Sequence, residues 1–249
     1  MLKVPKRQCF VGFFDILGFS NIVKNDQLEY VWKSLIEVKS STMFIKGNLE
    51  SLFKRKIINI ETFSDTVLMY TADHVDKGQE DIDGYFNALI AVCDALFHSA
   101  NTNEIPIRGA ITVGELIVDD GLLLGKPIVE AYEMEQNQNW MGCWISDDAV
   151  KCVSKKLLDR LMDGNLILKY NIPLKKGDIK ECYALNWADS FFENNWDHGF
   201  LKEKSNHDWC AEQKHRNTRD FIKFMRNFIR DKEAAKQFNP VDAKKSAPD

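Results

Sequence analysis

Two aspartates lie at positions from which their side chains can act together. Asp15 comes near the end of the apolar run CFVGFFDIL, whose aromatic residues predict a buried strand over residues 9–17. Asp65 lies between two strand-like runs, residues 57–62 and 66–71, which predict a hairpin. If the strands are neighbours, both carboxylates emerge at one edge of a sheet and can hold two Mg²⁺ or Mn²⁺ ions. Taken singly, each aspartate is more typical of a turn or a cap.

A candidate phosphate-binding turn follows the first aspartate. Gly18, Phe19 and Ser20 come directly after the predicted strand and before apolar residues at helical spacing, which predict a helix over residues 28–38. Backbone N–H groups in a turn before a helix can donate to phosphate oxygens. These three residues are therefore candidates for binding a phosphorylated ligand.

The elements that position these residues follow the order β-α-β-β-α-β. A second helix is predicted around residues 86–97 and a further strand over residues 105–115. This order is typical of an α+β, ferredoxin-like sheet with both helices on one face. Farther along, Pro127 begins a helix, residues 142–145 form a short strand, and Ser146 caps a helix that we predict to continue to about residue 161.

The C-terminal part is predicted to be a mainly helical extension. Residues 187–208 are polar and aromatic without a clear period, whereas residues 216–236 have the apolar spacing of an amphipathic helix with a basic face. Residues 239–249 include two prolines and few apolar residues. We therefore divide the chain into a main domain over residues 1–186, a helical appendage over residues 187–238 and a disordered tail over residues 239–249.

The composition of the chain excludes several classes of function. The chain has 249 residues, enough for a full hydrophobic core, and a formal net charge of −4. This slight negative charge is not typical of a protein that binds long nucleic acids. No apolar run reaches the roughly 18 residues that span a bilayer, and the six cysteines are scattered without a metal-ligand spacing. We expect a cytoplasmic protein with neither a membrane segment nor stable nucleic-acid binding.

Five blocks of sequence resemble, in family order, the motifs of the class III nucleotidyl cyclases. They are FFDILGFS (residues 13–20), IETFSDTVLMY (60–70), IPIRGAITVGEL (105–116), LLGKPIVEAYEMEQ (123–136) and GCWISDDAV (142–150). The resemblance covers about residues 9–150. It implies a cyclase homology domain that works as a homodimer, with its sites at the subunit interface.

The resemblance assigns roles to the candidate residues. Asp15 and Asp65 would ligate two Mg²⁺ or Mn²⁺ ions, and the Ile16 carbonyl would help to bind one of them. Arg108 would contact the nucleotide or stabilise developing charge, since its guanidinium suits phosphate oxygens. The alternative for Arg108 is a structural ion pair.

Two further residues are candidates for substrate binding by the same resemblance. Glu61 aligns with the position that reads the base in purine cyclases, where Glu is the guanylyl-type residue; the alternative is an exposed strand carboxylate. Lys126 is a candidate phosphate contact near a helix start, and its alternative is a solvated lysine.

Three departures from the family pattern narrow the choice of subfamily that the chain resembles. Val129 and Glu133 align with the positions where adenylyl and guanylyl cyclases offer Asn and Arg to the transition-state phosphate, and Ser64 replaces a glycine. This form resembles the small cyclases of the Pycsar anti-phage systems, which make cyclic pyrimidine nucleotides.

The subfamily resemblance implies an enzyme that converts UTP to 3′,5′-cyclic UMP and pyrophosphate. The product would be a second messenger in anti-phage defence, read by a separate cyclic-nucleotide effector. Glu61 favours a guanylate cyclase as one alternative, and a cytidylate cyclase is another. Loss of the usual Asn and Arg favours a third alternative, a catalytically silent nucleotide-binding domain that regulates a partner.

Overall fold

The computed structural model describes residues 5–24, 28–74, 77–120, 122–176, 180–188 and 212–237. Within these ranges the strands are β1 (Lys6–Ile16), β2 (Ile58–Phe63), β3 (Thr66–Thr71), β4 (Ile107–Asp119), β5 (Leu122–Leu124), β6 (Gly142–Ile145), β7 (Ile167–Ile172) and β8 (Lys180–Leu185). The helices in the same ranges are α1 (Phe19–Lys24), α2 (Leu28–Phe53), α3 (Gln79–Thr102), α4 (Lys126–Asn137), α5 (Asp147–Lys151), α6 (Lys155–Asp163) and α7 (Glu212–Gln237).

The strands described form one mixed sheet with β1 near its centre. The order is β2-β3-β1-β4-β6-β8-β7, and β5 pairs with β4 outside this path. β1 is antiparallel to both β3 and β4, whereas β4 and β6 are parallel. The predicted α+β fold with a βαββαβ order is confirmed.

Alternation along β1 divides the core into two layers. Phe10 and Phe14 face the main core, where their rings contact Phe86 and Phe97 of α3. Val11 faces the other side of the sheet and belongs to a smaller cluster against which α4 packs. Because successive side chains of a strand point to opposite faces, the side chain of every second residue of β1, including Asp15, lies on the α4 side.

Two helices differ from the prediction. The helix predicted over residues 28–38 continues to Phe53, because Ile45, Leu49 and Phe53 extend the apolar stripe at intervals of four residues and pack against the core. The helix predicted to run from Ser146 to about residue 161 is two helices, α5 and α6. Ser154 begins the second helix, where it accepts a hydrogen bond from the Leu157 N–H and its own N–H donates to Asp83.

The C-terminal helix shares the main core. Phe221 and Met225 of α7 are fully buried, and the Phe221 ring contacts Trp140, Tyr170 and Trp187. The domain division at residue 186 stays a prediction, because residues 189–211 lie outside the described part of the chain, as does the predicted tail.

Among the helices of the described ranges, none combines the length and the apolar character that a membrane-spanning segment needs.

Candidate functional site

The sheet brings Asp15 and Asp65 to one edge. Asp15 is the second-last residue of β1 and pairs in register with Thr66, the first residue of β3. Asp65 lies in the two-residue loop between β2 and β3, and its carbonyl oxygen accepts a hydrogen bond from the Ile16 N–H at 3.2 Å. β1 and β3 are neighbours in the sheet, as predicted. The role of Asp15 and Asp65 as metal ligands stays a prediction.

Asp15 lies in a strongly perturbed environment. Burial, together with the negative charges of Glu135 and Asp65, raises its pKa from 3.8 to about 7. The positive charges of Arg108 and Lys214 oppose this shift without cancelling it. A carboxylate held near other carboxylates is costly to ionise unless a cation approaches.

The donor set fits a hard divalent cation. Carboxylate oxygens are the ligands that Mg²⁺ and Mn²⁺ prefer, and such ions keep open positions for water and phosphate oxygens. The described residues contain no group of three or more His, Cys, Asp or Glu side chains that could hold a metal. Asp15 and Asp65 would supply two carboxylates, and water or phosphate oxygens would supply the remaining ligands of such an ion.

Arg108 lies beside Asp15 but is already engaged. The two residues are direct partners on β4 and β1, so their side chains leave the same face of the sheet. Arg108 is 2% exposed, its Nε donates to Glu135 Oε1 at 2.5 Å, and its Nη1 donates to the Gln138 carbonyl oxygen at 2.7 Å. This geometry is that of a structural ion pair, which was the alternative expectation for Arg108. A direct contact between Arg108 and a nucleotide stays a prediction.

The partners of Arg108 form a buried polar network that the sequence analysis missed. Glu135 Oε2 accepts from Gln136, and burial raises the Glu135 pKa although Arg108 opposes the shift. Gln138 donates to the Gly109 carbonyl and accepts from Trp140 Nε1. The available signal was the spacing of Glu135 and Gln138, which places two polar residues on one face near the end of α4.

Two lysines near the same edge were also missed. Burial lowers the pKa of Lys175, and repulsion from Arg108 and Lys214 lowers it further, while Glu135 and Asp15 oppose the shift. Lys175 precedes β8, and Lys214 lies in the first turn of α7. Neither lysine lies in a motif, so sequence spacing gave no signal for them.

The predicted phosphate turn lies next to the carboxylates. Gly18 follows β1 with a φ of 77°, in the left-handed region that glycine tolerates. Phe19 and Ser20 already belong to α1, so the turn is shorter than predicted. The three residues remain adjacent to Ile16. They are thus adjacent to the sheet edge that carries Asp15 and Asp65, which we call the carboxylate edge.

Glu61 and Lys126 lie away from this edge. Glu61 is exposed on β2, two strands from β1. The Lys126 side chain is 83% exposed and pairs with Glu130 at 2.8 Å. It begins α4 beside Glu115, roughly 20 Å along β4 from Arg108. Within one chain, these two residues and the aspartates do not form a single pocket.

Comparison with known proteins gives structural matches only. The sequence matches no protein-family model and no curated protein sequence. The structure is similar to a double mutant of the guanylyl cyclase domain of the RhoGC fusion protein from the aquatic fungus Blastocladiella emersonii. That match has 16% identity and a TM-score of 0.52 and covers 74% of this chain and 98% of that one.

A second similar structure is the catalytic core of a rhodopsin-guanylyl cyclase with converted specificity in complex with ATPαS. It has the same identity and the same two coverages, with a TM-score of 0.51. At this identity the likeness concerns the fold. The chain therefore has the fold of these guanylyl cyclase catalytic domains.

Proposed function

We propose that this protein is a homodimeric, metal-dependent nucleotidyl cyclase that converts UTP to 3′,5′-cyclic UMP and pyrophosphate in anti-phage defence. The observation that carries the cyclase proposal is the meeting of Asp15 and Asp65 at one edge of a sheet with the cyclase fold. The choice of a pyrimidine base and the defensive role are supported by the sequence resemblance to the Pycsar cyclases.

The proposed reaction is an internal displacement at phosphorus. The ribose 3′-oxygen attacks the α-phosphorus, the bond from that phosphorus to the bridging oxygen of the leaving group breaks, and pyrophosphate departs. Asp15 and Asp65, with the Ile16 carbonyl, would hold two Mg²⁺ or Mn²⁺ ions. When bound, these ions lower the pKa of the 3′-hydroxyl and neutralise charge on the triphosphate.

Other groups of the chain would bind and orient the substrate. The N–H groups of Gly18, Phe19 and Ser20 would donate to phosphate oxygens beside the carboxylates. Arg108 supplies positive charge next to Asp15 while its ion pair with Glu135 fixes its position. Its guanidinium would reach the substrate only by exchanging one of its present acceptors for a phosphate oxygen.

A dimer would bring the remaining candidates to the site. Glu61 of the partner subunit would then read the base, and Lys126 of the partner subunit would approach a phosphate. Exposed apolar side chains on one face of α4 support such an interface: Val129 is 54% exposed and Tyr132, three residues later, is 48% exposed. Neighbouring exposed apolar groups are typical of an interaction site.

The direct test is to incubate the purified protein with Mn²⁺ and equimolar ATP, GTP, CTP and UTP, and to identify products by mass spectrometry. We expect cyclic UMP as the main product. Asp15→Asn and Asp65→Asn should each abolish turnover while circular dichroism shows a folded chain. Cyclic CMP or cyclic GMP would refute the proposed base, and full activity of the double variant would refute the two-metal proposal.

A second candidate is a catalytically silent domain that binds a nucleotide and regulates a partner. It is favoured by Val129 and Glu133, which are exposed on α4 and carry no donor for a phosphate oxygen. Nucleotide binding by a folded dimer, without release of pyrophosphate under Mn²⁺, would support this candidate over the enzyme.

A further inference from the structure

The charge of α7 is opposite in sign to that of the whole chain. Its 26 residues include eight lysines and arginines against four aspartates and glutamates, a formal charge of +4. The whole chain has a net charge of −4, so the rest of the sequence carries −8. The net charge of the chain argues against nucleic-acid binding only as an average, and this average hides a strongly basic helix.

Five of these basic residues form a row along one face of α7. They recur at alternating intervals of three and four residues, a spacing that places side chains on the same face of a helix. They are Arg216, Arg219, Lys223, Arg226 and Arg230, which we call the basic row. Because an α-helix rises 1.5 Å per residue, the basic row is about 21 Å long.

The opposite face of α7 fixes the helix to the body of the protein. Phe221 and Met225 are fully buried in the main core. Toward the end of the helix, Lys232 Nζ donates to the carbonyl oxygens of Met162 and Asp163 at 3.2 Å and 2.7 Å. The basic row therefore lies on the outward side of a helix that is held in place, so its cations are arranged in a line before any partner binds.

Three cations of the basic row are well exposed and only weakly paired. The side chains of Arg216, Lys223 and Arg230 are 60%, 74% and 74% exposed. Their ion-pair partners are Glu212 at 3.4 Å, Asp220 at 3.9 Å and Asp231 at 3.7 Å. Exposed ion pairs contribute little free energy, so phosphate oxygens can replace these carboxylates at little cost.

The surroundings of the basic row favour a phosphate backbone over a protein or a membrane. Protein interfaces owe much of their affinity to buried aromatic and apolar anchors. The exposed rings of Phe224 and Phe228 lie to one side of the row, toward the buried face, where Phe224 contacts Tyr170. An amphipathic helix binds a membrane through its apolar face, and that face of α7 is packed in the core.

A nucleic acid needs only what the basic row offers. Its binding is driven by cations that neutralise phosphates, and the guanidinium group of arginine suits phosphate oxygens. Binding to single strands usually adds aromatic side chains on which bases stack, and the row has none. The major groove of B-form DNA is wide enough to admit a helix, whereas that of an RNA duplex is narrow. The geometry therefore favours a DNA duplex.

We propose that the basic row of α7 binds the phosphate backbone of duplex DNA without sequence preference. This inference goes beyond the proposed cyclase function and does not rest on it. The binding is non-specific and strongly dependent on salt, with a Kd of about 10⁻⁴ to 10⁻⁶ M at physiological salt. The C-terminal helix would then be an interaction surface of its own.

The test measures binding of the full chain to a fluorescein-labelled DNA duplex of about 20 base pairs by fluorescence anisotropy, between 50 and 200 mM NaCl. The row variant combines Arg216→Gln, Lys223→Gln and Arg230→Gln. The control variant combines Lys33→Gln, Lys151→Gln and Lys155→Gln. These three lysines are exposed on other helices, each is paired with a carboxylate of its own helix, and their replacement removes the same charge.

We expect the wild type to lose about 500-fold in affinity over this salt range, because neutralising five phosphates gives a slope of about −4.5 in log K against log salt. The row variant keeps two of the five cations, so its slope should be about −1.8 and its loss about 12-fold. At 50 mM NaCl the row variant should bind at least about 10-fold more weakly than the wild type. The control variant and a duplex of another sequence should both match the wild-type result.

Several results would overturn the inference. One is a folded wild-type protein that does not bind the duplex at 50 mM NaCl, and another is an unchanged slope in the row variant. Equal losses in the row and control variants would show that overall charge governs binding. Equal or tighter binding to an RNA duplex, to poly-L-glutamate or to phosphatidylserine vesicles would assign the row to a different partner.

A single substitution keeps the test decisive if circular dichroism shows that the row variant does not fold. Lys223→Gln removes one exposed cation and should make the slope less steep by about 0.9. A folded Lys223→Gln protein with the wild-type slope would equally overturn the inference.

Discussion

Replacing Asp15 with Asn should stabilise the metal-free protein at alkaline pH. The pKa of Asp15 is raised from 3.8 to about 7, and each pKa unit corresponds to about 1.4 kcal/mol. Full ionisation of a wholly shielded group would therefore cost the folded state about 4 kcal/mol. Because Asp15 is partly exposed, solvent screening reduces the expected cost to about 2 kcal/mol.

The pH window follows from the two pKa values of Asp15. Below pH 4 the carboxyl group is protonated in both the folded and the unfolded chain, so it contributes no difference. Between pH 4 and 7 the unfolded chain releases the proton before the folded chain does, and the free energy of unfolding falls as the pH rises. Above pH 7 the full cost is present, and Asn, which does not ionise, removes it.

The assay is urea unfolding of the wild type and Asp15→Asn in EDTA at pH 5 and pH 8. The stabilisation by Asn should be about 2 kcal/mol at pH 8 and smaller at pH 5. Asp119→Asn, an exposed carboxylate at the far end of β4, should change stability little at either pH. Added Mn²⁺ should stabilise the wild type and not Asp15→Asn. A variant less stable than the wild type at pH 8 in EDTA would refute the reasoning.

Three further predictions follow from contacts in the structure. Ser64→Gly should raise the free energy of unfolding by about 1 kcal/mol in urea titrations, because Ser64 has a φ of 54° in the left-handed region; a decrease would contradict this. Glu135→Gln should lower the free energy of unfolding by about 3 kcal/mol, and with it the melting temperature, because it leaves the Arg108 charge buried without its partner; an unchanged melting temperature would argue against a tight pair. Val129→Glu should shift the proposed dimer toward monomer in sedimentation velocity, and an unchanged sedimentation coefficient would place the interface elsewhere.

The carboxylate edge could be predicted because its determinants are local. The apolar run that contains Asp15 and the short polar tip that contains Asp65 each specify a strand or a turn within a few residues. Pairing of the two strands then follows from the βαββαβ order. The same reasoning correctly placed Pro127 at the start of α4 and Ser146 as a cap.

The environment of that edge could not be predicted in the same way. Glu135, Lys175 and Lys214 come from three parts of the chain that are distant in sequence from Asp15, and packing alone brings them toward it. The break between α5 and α6 depends on a hydrogen bond from Ser154 to Asp83, on another helix. Such tertiary contacts override local helix propensity.

The position of β1 in the sheet has a consequence for the order of assembly during synthesis. The strand partners of Asp15 lie far along the chain from it: Thr66 comes roughly 50 residues later and Arg108 roughly 90 residues later. At about 5 to 20 residues per second, the ribosome needs roughly 5 to 20 seconds to make the second partner. During that interval the apolar first strand has unpaired edges, which are prone to aggregation. Early chaperone binding to the nascent first strand would therefore favour correct folding of this protein.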